Sequence, residues 1–365
     1  MKEQAERPHF LSLTHEELAA QIASWGEAGF RTAQIWDWIY EKRVMHPDQM
    51  RNLPKTLIDK LKTELDWQLP EVIDQVNAPD GSTKLLLQKS NGRIIESVIM
   101  RYSERTSLCV SSQVGCRMSC QFCQTGKLGF MGNLTAGDIL AQYAVASALT
   151  QTEGRRISHV VFMGMGEPLD NFSNTLTAVN RLIDPKGFGL SSRHVTISTV
   201  GIAPRIIELA DKSKASLAIS LHAARDELRS ELMPLNQKYP LAKLKEALKI
   251  WQQKISRKIM IEYILIDGKN CGTREAKELV QFLQGLKVKV NLIPFNSHPG
   301  MDYQTPDEET IAAFQKYLST RSIPAPVRYS KGLDVSAACG QLAAKVDGVW
   351  NQSPNRDQVL ALQQQ

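Results

Sequence analysis

The sequence predicts an α/β protein: a partial (β/α)6 barrel preceded by a small N-terminal helical accessory domain. Three observations predict it. From Ser107 onward, short β-rich runs alternate with helical runs six times, the rhythm of a parallel sheet with right-handed crossovers. Six units fall short of the eight that close a full barrel, so this one is expected to stay open. The first ~70 residues instead carry apolar residues at helical spacing.

The elements follow in order. His15 to Trp25 and Thr32 to Lys42 read as helices, with Trp36, Ile39 and Tyr40 on the second and Gly26 and Gly29 breaking between them. Pro54 starts a third helix running to Leu65. Two extended stretches come next, Thr83 to Lys89 and Arg93 to Met100, with Asn91-Gly92 as a hairpin turn between them. Residues 1–90 are taken as the accessory module, 91–345 as the barrel and 346–365 as a Gln-rich tail. The barrel strands are expected at Ser107–Ser111, His159–Met163, His194–Thr199, Ser216–Leu221, Lys258–Leu265 and Val288–Ile293. The helices are expected at Thr135–Ala146, Asn174–Leu182, Pro204–Ala210, Leu241–Gln253, Arg274–Leu283 and Asp307–Leu318.

Composition narrows the class. A chain of 365 residues suits a large domain plus a smaller one. Its 42% hydrophobic and 22% charged residues are those of a soluble globular protein. No apolar run approaches the roughly 20 residues of a membrane helix, and Met1 to Phe10 lacks a signal-peptide core. No membrane partner is expected, and the expected location is the cytoplasm, where six cysteines read as metal ligands or redox groups rather than structural disulfides. The net charge of +6 fits a nucleic-acid partner. Residues 1–68 hold nine basic and eleven acidic residues, so the later part supplies most of the attraction. Lys42, Arg43, Arg51 and Lys55 form either a local basic patch or a solvated helix face.

The strongest chemical signal is Cys116-Arg-Met-Ser-Cys120-Gln-Phe-Cys123, directly after the first barrel strand. Three closely spaced thiolates suit three irons of a [4Fe–4S] cube and leave the fourth iron open to a small molecule. A zinc site is the competing reading; it wants four ligands, with Cys109 or Cys339 as the fourth. Ligand groups of α/β barrels gather at the C-terminal ends of the strands. Gly164-Met-Gly166-Glu167-Pro168, Ser198-Thr199, Ser220-Leu221-His222 and Asn296 all sit at such ends and are read together as surrounding one ligand.

The cysteine spacing, with Phe122 before the last cysteine, resembles the radical S-adenosylmethionine (SAM) superfamily. That resemblance implies SAM chelating the open iron and the Gly166-Glu167 loop holding its amino group. A wider set of motifs resembles the RlmN/Cfr family of RNA methyltransferases, which act at C2 or C8 of adenosine. The set comprises Leu108-Cys109-Val-Ser-Ser-Gln-Val-Gly-Cys116, Gly126-Lys-Leu-Gly129-Phe, Asn133-Leu-Thr135, Met163 to Pro168, Ser220-Leu-His222, Asn291-Leu-Ile-Pro294 and Ala337-Ala-Cys339-Gly-Gln-Leu342.

The family resemblance implies a mechanism suited to the problem. Adenine C2 and C8 are electron-poor and cannot attack the methyl of SAM directly. Cys339 matches the cysteine that first accepts a methyl group, a task suited to a thiolate. A second SAM then supplies the radical, so two are used per turnover. Cys109 matches the cysteine that releases the product by forming a disulfide with Cys339, and Glu96 matches the base that removes the ring proton. An exposed strand carboxylate is the competing reading of Glu96. Cys271 matches no functional position and reads as structural. The implied partners are 23S rRNA, with tRNA as a second substrate, and a one-electron donor such as flavodoxin or ferredoxin. Residues 1–90 fit the family's accessory RNA-binding domain.

Two departures stand out: Tyr329-Ser-Lys-Gly-Leu-Asp334 replaces an Arg-Gly-Asp-Asp-like run, and Gly132 stands where an arginine commonly precedes Asn133. Pro168 after Glu167 favours the C2 branch over C8 methylation of the Cfr kind. A non-methylating radical-SAM enzyme and a zinc-containing RNA-binding protein are the remaining alternatives.

Overall fold

The computed structural model describes residues 7–297, 301–333 and 336–342. The expected tail from 346 lies outside them. Three helices lead the chain: α1 (His15–Ser24), α2 (Phe30–Tyr40) and α3 (Lys55–Glu64). Thr14 caps α1 through the Glu17 amide while Glu17 bonds back to Thr14, a reciprocal box that satisfies two otherwise orphaned donors. An antiparallel run follows, β1 (Glu71–Asn77), β2 (Ser82–Gln88) and β3 (Ile94–Arg101), and leads into β4 (Thr106–Cys109). A small hairpin of β5 (Gln113–Gly115) and β6 (Phe130–Asn133) brackets the cysteine loop and the short α4 (Gln124–Lys127).

The rest alternates: α5 (Ala136–Thr152), β7 (Ile157–Phe162), α6 (Phe172–Ile183), β8 (Val195–Thr199), α7 (Ala203–Lys212), β9 (Ser216–Ser220), α8 (Asp226–Leu232), α9 (Leu241–Lys254), β10 (Ile259–Leu265), α10 (Thr273–Leu283), β11 (Val288–Pro294) and α11 (Glu308–Ser319). Thr135 of the Asn133-Leu-Thr135 motif is the N-cap of α5, boxed with Asp138, so that motif has a structural reason.

One sheet runs in the order β1-β2-β3-β4-β7-β8-β9-β10-β11. Its last six strands are parallel and match the six expected units. Strand β1 was not anticipated, because Glu71, Asp74 and Gln75 make it a polar, largely exposed edge. The sheet continues unbroken through β3, and residue 90 lies inside the β2–β3 turn. A division there does not coincide with a break in the sheet.

The sheet is bridged from its last strand back to its first hairpin. Residues 324–328 pair along β11, with Val290 N donating to Pro324 O (2.9 Å), Leu292 N to Pro326 O (3.1 Å) and Arg328 N to Leu292 O (2.7 Å). The chain then reaches the β1–β2 turn, where Gly332 N donates to Asp80 Oδ2 at 2.7 Å and Lys331 Nζ to the Asp80 carbonyl. Finally it meets α4: Gln124 N donates to Gly340 O (2.8 Å) and Thr125 Oγ1 to Leu342 O (2.7 Å).

The accessory helices share the apolar core of the barrel, with Ile22, Ile35 and Leu57 buried in it. The Trp36 indole donates to the Lys186 carbonyl, and Tyr40 packs edge-on to Phe188 at 5.0 Å. His9 lies directly on Gly137 of α5: a Cβ there would fall 2.4 Å from His9 Cβ. Glycine to alanine inside a helix is ordinarily stabilising. Gly137→Ala is expected to do the opposite, costing about 1–3 kcal/mol through overpacking. Thermal unfolding checks this; a raised melting temperature would refute the close docking of His9.

Candidate active site

A cavity opens at the C-terminal ends of the parallel strands, and the cysteine loop forms one wall. The loop is held at its start by Cys116 N donating to Gly129 O (2.9 Å) and in its middle by Gln121 N donating to Leu232 O (2.9 Å). Gly115 is obligatory there: it has φ +72°, and a Cβ would lie 1.9 Å from the Gly129 carbonyl oxygen. Cys116, Cys120 and Cys123 all line the cavity. Among the described residues no three metal-ligating side chains converge on a single ion-sized point.

The electrostatics of the three thiols test the fit of a cluster. Burial, and after it the neighbouring Cys123, push Cys116 up to about 12. Burial together with Cys123 and Cys116 raises Cys120 far above the usual thiol range, and burial raises Cys123. Three thiols so placed stay protonated unless a cation offsets their charge, which a bound iron–sulfur core does. The donor set fits the group.

The Gly164–Pro168 loop forms the opposite wall. Its amides are spent on the chain after β4: Gly164 N donates to Val110 O (3.1 Å), Met165 N to Ser111 Oγ (2.9 Å) and Glu167 N to Gln113 Oε1 (2.9 Å). A Cβ on Gly164 would lie 2.7 Å from Ser111 Oγ, and one on Gly166 2.5 Å from Gln113 Cβ. The glycines therefore permit close packing and leave Gly166 and Glu167 in the wall. Both Glu167 carboxylate oxygens accept backbone amides, from Leu169 and from Val200, each at 2.9 Å. Burial nonetheless pushes this carboxyl up to about 7.

Ser198, Ser220 and His222 also line the cavity, His222 edge-on to Phe122 of the cysteine loop at 4.7 Å. His222 has φ +58°. Its Nδ1 accepts the Ile264 amide at 3.1 Å, so a neutral ring carries its proton on Nε2. Burial, then the Arg229 guanidinium, push its pKa down to about 3, keeping the ring neutral. Leu221 sits elsewhere: its side chain is in the hydrophobic core, and its amide donates to Glu262 O at 3.0 Å. Asn296 stands behind Cys339, donating to Cys339 O (3.3 Å) and Ser330 Oγ (2.9 Å).

Cys339 is exposed and lines the cavity. Crowding protein atoms and the Glu262 carboxylate push its thiol up to about 11. Cys109, 230 residues earlier, is buried at the end of β4; burial and then the nearby Cys339 raise its thiol well above the usual range. Both are free thiols, and the disulfide implied by the resemblance is not formed in this structure. Glu96 is buried, not an exposed strand carboxylate, and pairs with Lys84 at 3.5 Å. Val98 pairs with Cys109 across β3 and β4, so Glu96, two residues from Val98, shares the sheet face of Cys109. Cys271 is buried away from this cluster, its Sγ bonded to Ile266 O at 3.3 Å.

Sequence reading missed two charged residues. Glu262 lines the cavity from β10, accepts from Asn291 Nδ2 at 3.0 Å, and is raised by burial to about 7. Its signal was one acid within the apolar run of β10. Arg229 is buried and donates to the carbonyls of Val200 (2.6 Å), Ser220 (3.3 Å) and Leu221 (3.1 Å), which pins the ends of β8 and β9. At Gly132, the space a side chain would need is occupied by the guanidinium of Arg93, so an arginine from the β2–β3 turn stands there instead.

The two raised carboxyls carry a sign. Glu167 and Glu262 titrate near 7 in the folded protein against 4.5 ordinarily, so the folded chain holds protons that the unfolded chain releases in between. Their contribution to stability is present below 4.5 and is lost as pH rises through 7. In ligand-free protein, Glu262→Gln is therefore expected to shrink the fall in unfolding free energy between about pH 5 and about pH 8. Urea unfolding at both values measures it; an unchanged fall would show that Glu262 does not retain its proton.

Comparison with known proteins agrees with this arrangement. A family model described as the radical SAM superfamily matches residues 110–283, and one described as the ribosomal RNA large subunit methyltransferase N-terminal domain matches residues 9–66. The chain is 41% identical to a dual-specificity RNA methyltransferase RlmN of Marinobacter nauticus, over 94% of each chain. It is 42% identical to a probable dual-specificity RNA methyltransferase RlmN of Bacillus subtilis, over 93% of this chain and 94% of that one. A crystal structure of a radical SAM methyltransferase from Sphaerobacter thermophilus superposes with a TM-score of 0.89 at 41% identity, covering 93% of this chain and all of that one.

Proposed function

Because the chain belongs to the RlmN family of radical-SAM RNA methyltransferases, we propose that it methylates C2 of an adenosine in 23S rRNA and in tRNA through a methylated Cys339. The observation that carries this reading is that Cys339 lines the three-cysteine cavity near enough to Cys109, 230 residues earlier, for its charge to be felt there. A zinc-containing RNA-binding protein or a non-methylating radical enzyme has no use for that pair. The RlmN names of the relatives favour C2 over C8.

Cys116, Cys120 and Cys123 are the residues that would hold a [4Fe–4S] cluster, with Gly166, Glu167, Ser198, Ser220 and His222 around SAM, Leu221 offering only its backbone beside Ser220 and Asn296 acting from behind Cys339. When bound, these groups supply a methyl group from one SAM and a carbon-centred radical from a second. The chain does the rest. Cys339 gives up its thiol proton, carries the methyl group and thereby becomes the tether to the adenine ring. Glu96, on the sheet face of Cys109, takes the ring proton. Cys109, as a thiolate, then attacks the Cys339 sulfur: the S–S bond forms as the Cys339 S–CH2 bond breaks, and the electron pair passes to the methylene carbon on the base, which takes a proton and leaves as the methyl group. The electron donor is a flavodoxin- or ferredoxin-like protein. Among the described residues no helix is long and apolar enough to cross a membrane, and we place the enzyme in the cytoplasm. Helices α1–α3 serve as the accessory RNA-binding unit.

Two experiments test this reading. Replacing Cys116, Cys120 or Cys123 with Ala should abolish the brown chromophore, stoichiometric iron and SAM cleavage; a triple variant that still binds iron stoichiometrically would sink the cluster assignment. The second separates the remote cysteines. Cys339→Ala should accept no methyl group and form no RNA adduct. Cys109→Ala should methylate Cys339, attack the base and stall as a denaturation-resistant protein–RNA complex that nuclease destroys. Recovery of folded, cluster-bearing Cys109→Ala without RNA attached would refute both roles.

A further inference from the structure

The end of the barrel opposite the cavity carries charge that the reaction does not use. Each of the six parallel strands is preceded, within two residues, by a Lys or Arg: Arg105 before β4, Arg156 before β7, Arg193 before β8, Lys214 before β9, Lys258 before β10 and Lys287 before β11. Lys and Arg make up 44 of 365 residues, so composition alone does not place one at every strand start. All six are exposed, and among the described residues none of them makes an ion pair. Three nearby acids are engaged elsewhere, Glu153 by Arg101, Asp211 by Lys254 and Asp184 by Arg181, while Glu104 stands beside Arg105. Helix C-termini also end on this face and favour cations there, which accounts for a basic rim without any ligand.

It does not account for Arg43. A pocket lies where the accessory helices meet this rim, lined by Arg43 and Tyr40 at the end of α2, Arg155 and Arg156 before β7, Tyr143 of α5, and residues 185 and 187–189. Arg43 adopts φ +58°, its guanidinium lies 5.2 Å from the Phe188 ring, and its Nη1 is buried without a hydrogen-bond partner. A buried cationic donor left unpaired costs more than a neutral one, and native structures rarely tolerate it without a ligand. Arg155 spends one nitrogen on Tyr102 O at 3.0 Å, and Glu41 is the only acid in the pocket lining. Three guanidinium groups against one carboxylate, one of them with an orphaned donor, describe an anion site, and arginine is suited to phosphate oxygens.

We infer that this pocket binds a backbone phosphate of the RNA substrate, and that the basic rim continues the phosphate track around the strand starts. The inference rests on the functional reading above, since it takes RNA to be the substrate. The strands between rim and cavity are four to seven residues long, which separates the two ends by roughly 13–23 Å. An RNA held at both ends must be larger than the loop that offers its adenosine. The site thus favours large folded RNA over a minimal target hairpin.

The test uses full-length 23S rRNA transcript and a short hairpin cut from around the methylated adenosine, with reconstituted holoenzyme. Arg43→Gln removes the buried donor and Arg156→Glu reverses an exposed charge, so the second variant keeps the test alive should the first misfold. For the long transcript, each variant should make the slope of log affinity against log salt shallower by about 1 and raise KM about three- to tenfold, with kcat retained. The loss on the short hairpin should be much smaller. Variants with native melting temperatures whose salt slope and KM match wild type on the long transcript overturn the inference. Equal losses on both RNAs overturn it too, because the contact would then lie at the target loop. A wild-type enzyme that methylates no RNA overturns the functional reading and this inference together; a wild type that methylates while both variants match it overturns this inference alone.

Discussion

The cavity depends on one bridge, the hydrogen bonds that carry residues 324–332 from β11 across to Asp80. An open six-strand sheet has two free edges, and the antiparallel strands β1–β3 extend one of them. The chain after α11 adds backbone pairing to β11 and then anchors on the β1–β2 turn through Gly332 and Lys331. Asp80 is held below the usual carboxylate range: partial burial pushes it up, but hydrogen bonds from Ser82 and Gly332 outweigh that. Ala337 N returns to Gly332 O at 2.8 Å, and Gly340 and Leu342 accept from α4. Cys339 is set between these two anchorages. Its place beside the cysteine loop and near Cys109 therefore follows from backbone hydrogen bonds at both ends of its own segment.

Desolvation is the second constraint, and it acts on every titratable group at the site in the same direction. Thiols and carboxyls are pushed up and the imidazole is pushed down, so the protein alone favours an uncharged cavity. Such a cavity is poorly suited to isolated anions and well suited to a cationic cofactor that brings compensating charge. Burial pushes Arg229 the same way, down to about 10, yet it keeps its charge. It stays buried and cationic because four acceptors, the carbonyls of Val200, Ser220 and Leu221 and the side chain of Asn236, surround it. The same guanidinium holds the loops after β8 and β9 in register, so one residue serves both charge balance and geometry.

The parallel half of the fold and the chemistry of the cysteine loop are legible in the residues alone. Both are local: strand–helix alternation is written in successive residues, and a C-x3-C-x2-C run places its thiols within one loop whatever surrounds it. Thr135 could also be read, as part of a motif, although only the structure shows it to be a helix cap. The features that needed the folded chain join residues distant in sequence. The polar strand β1 became an edge of the barrel sheet because β2 offered it hydrogen bonds, not because of its own pattern. Glu262 read as one acid in an apolar strand, and its place in the cavity wall came from the register of β10 between β9 and β11. Leu221 and Asn296 shared a strand-end position with Ser220 and His222, yet alternation along the chain turned one into the core, and a loop contact set the other behind Cys339. The Gly164–Pro168 loop read as one of the strand-end segments around a ligand, and only the structure shows its glycines making room for Ser111 and Gln113. The nearness of Cys109 and Cys339 is of the same kind. No local spacing encodes proximity across 230 residues; it exists because the sheet orders its strands and the final segment crosses back over them.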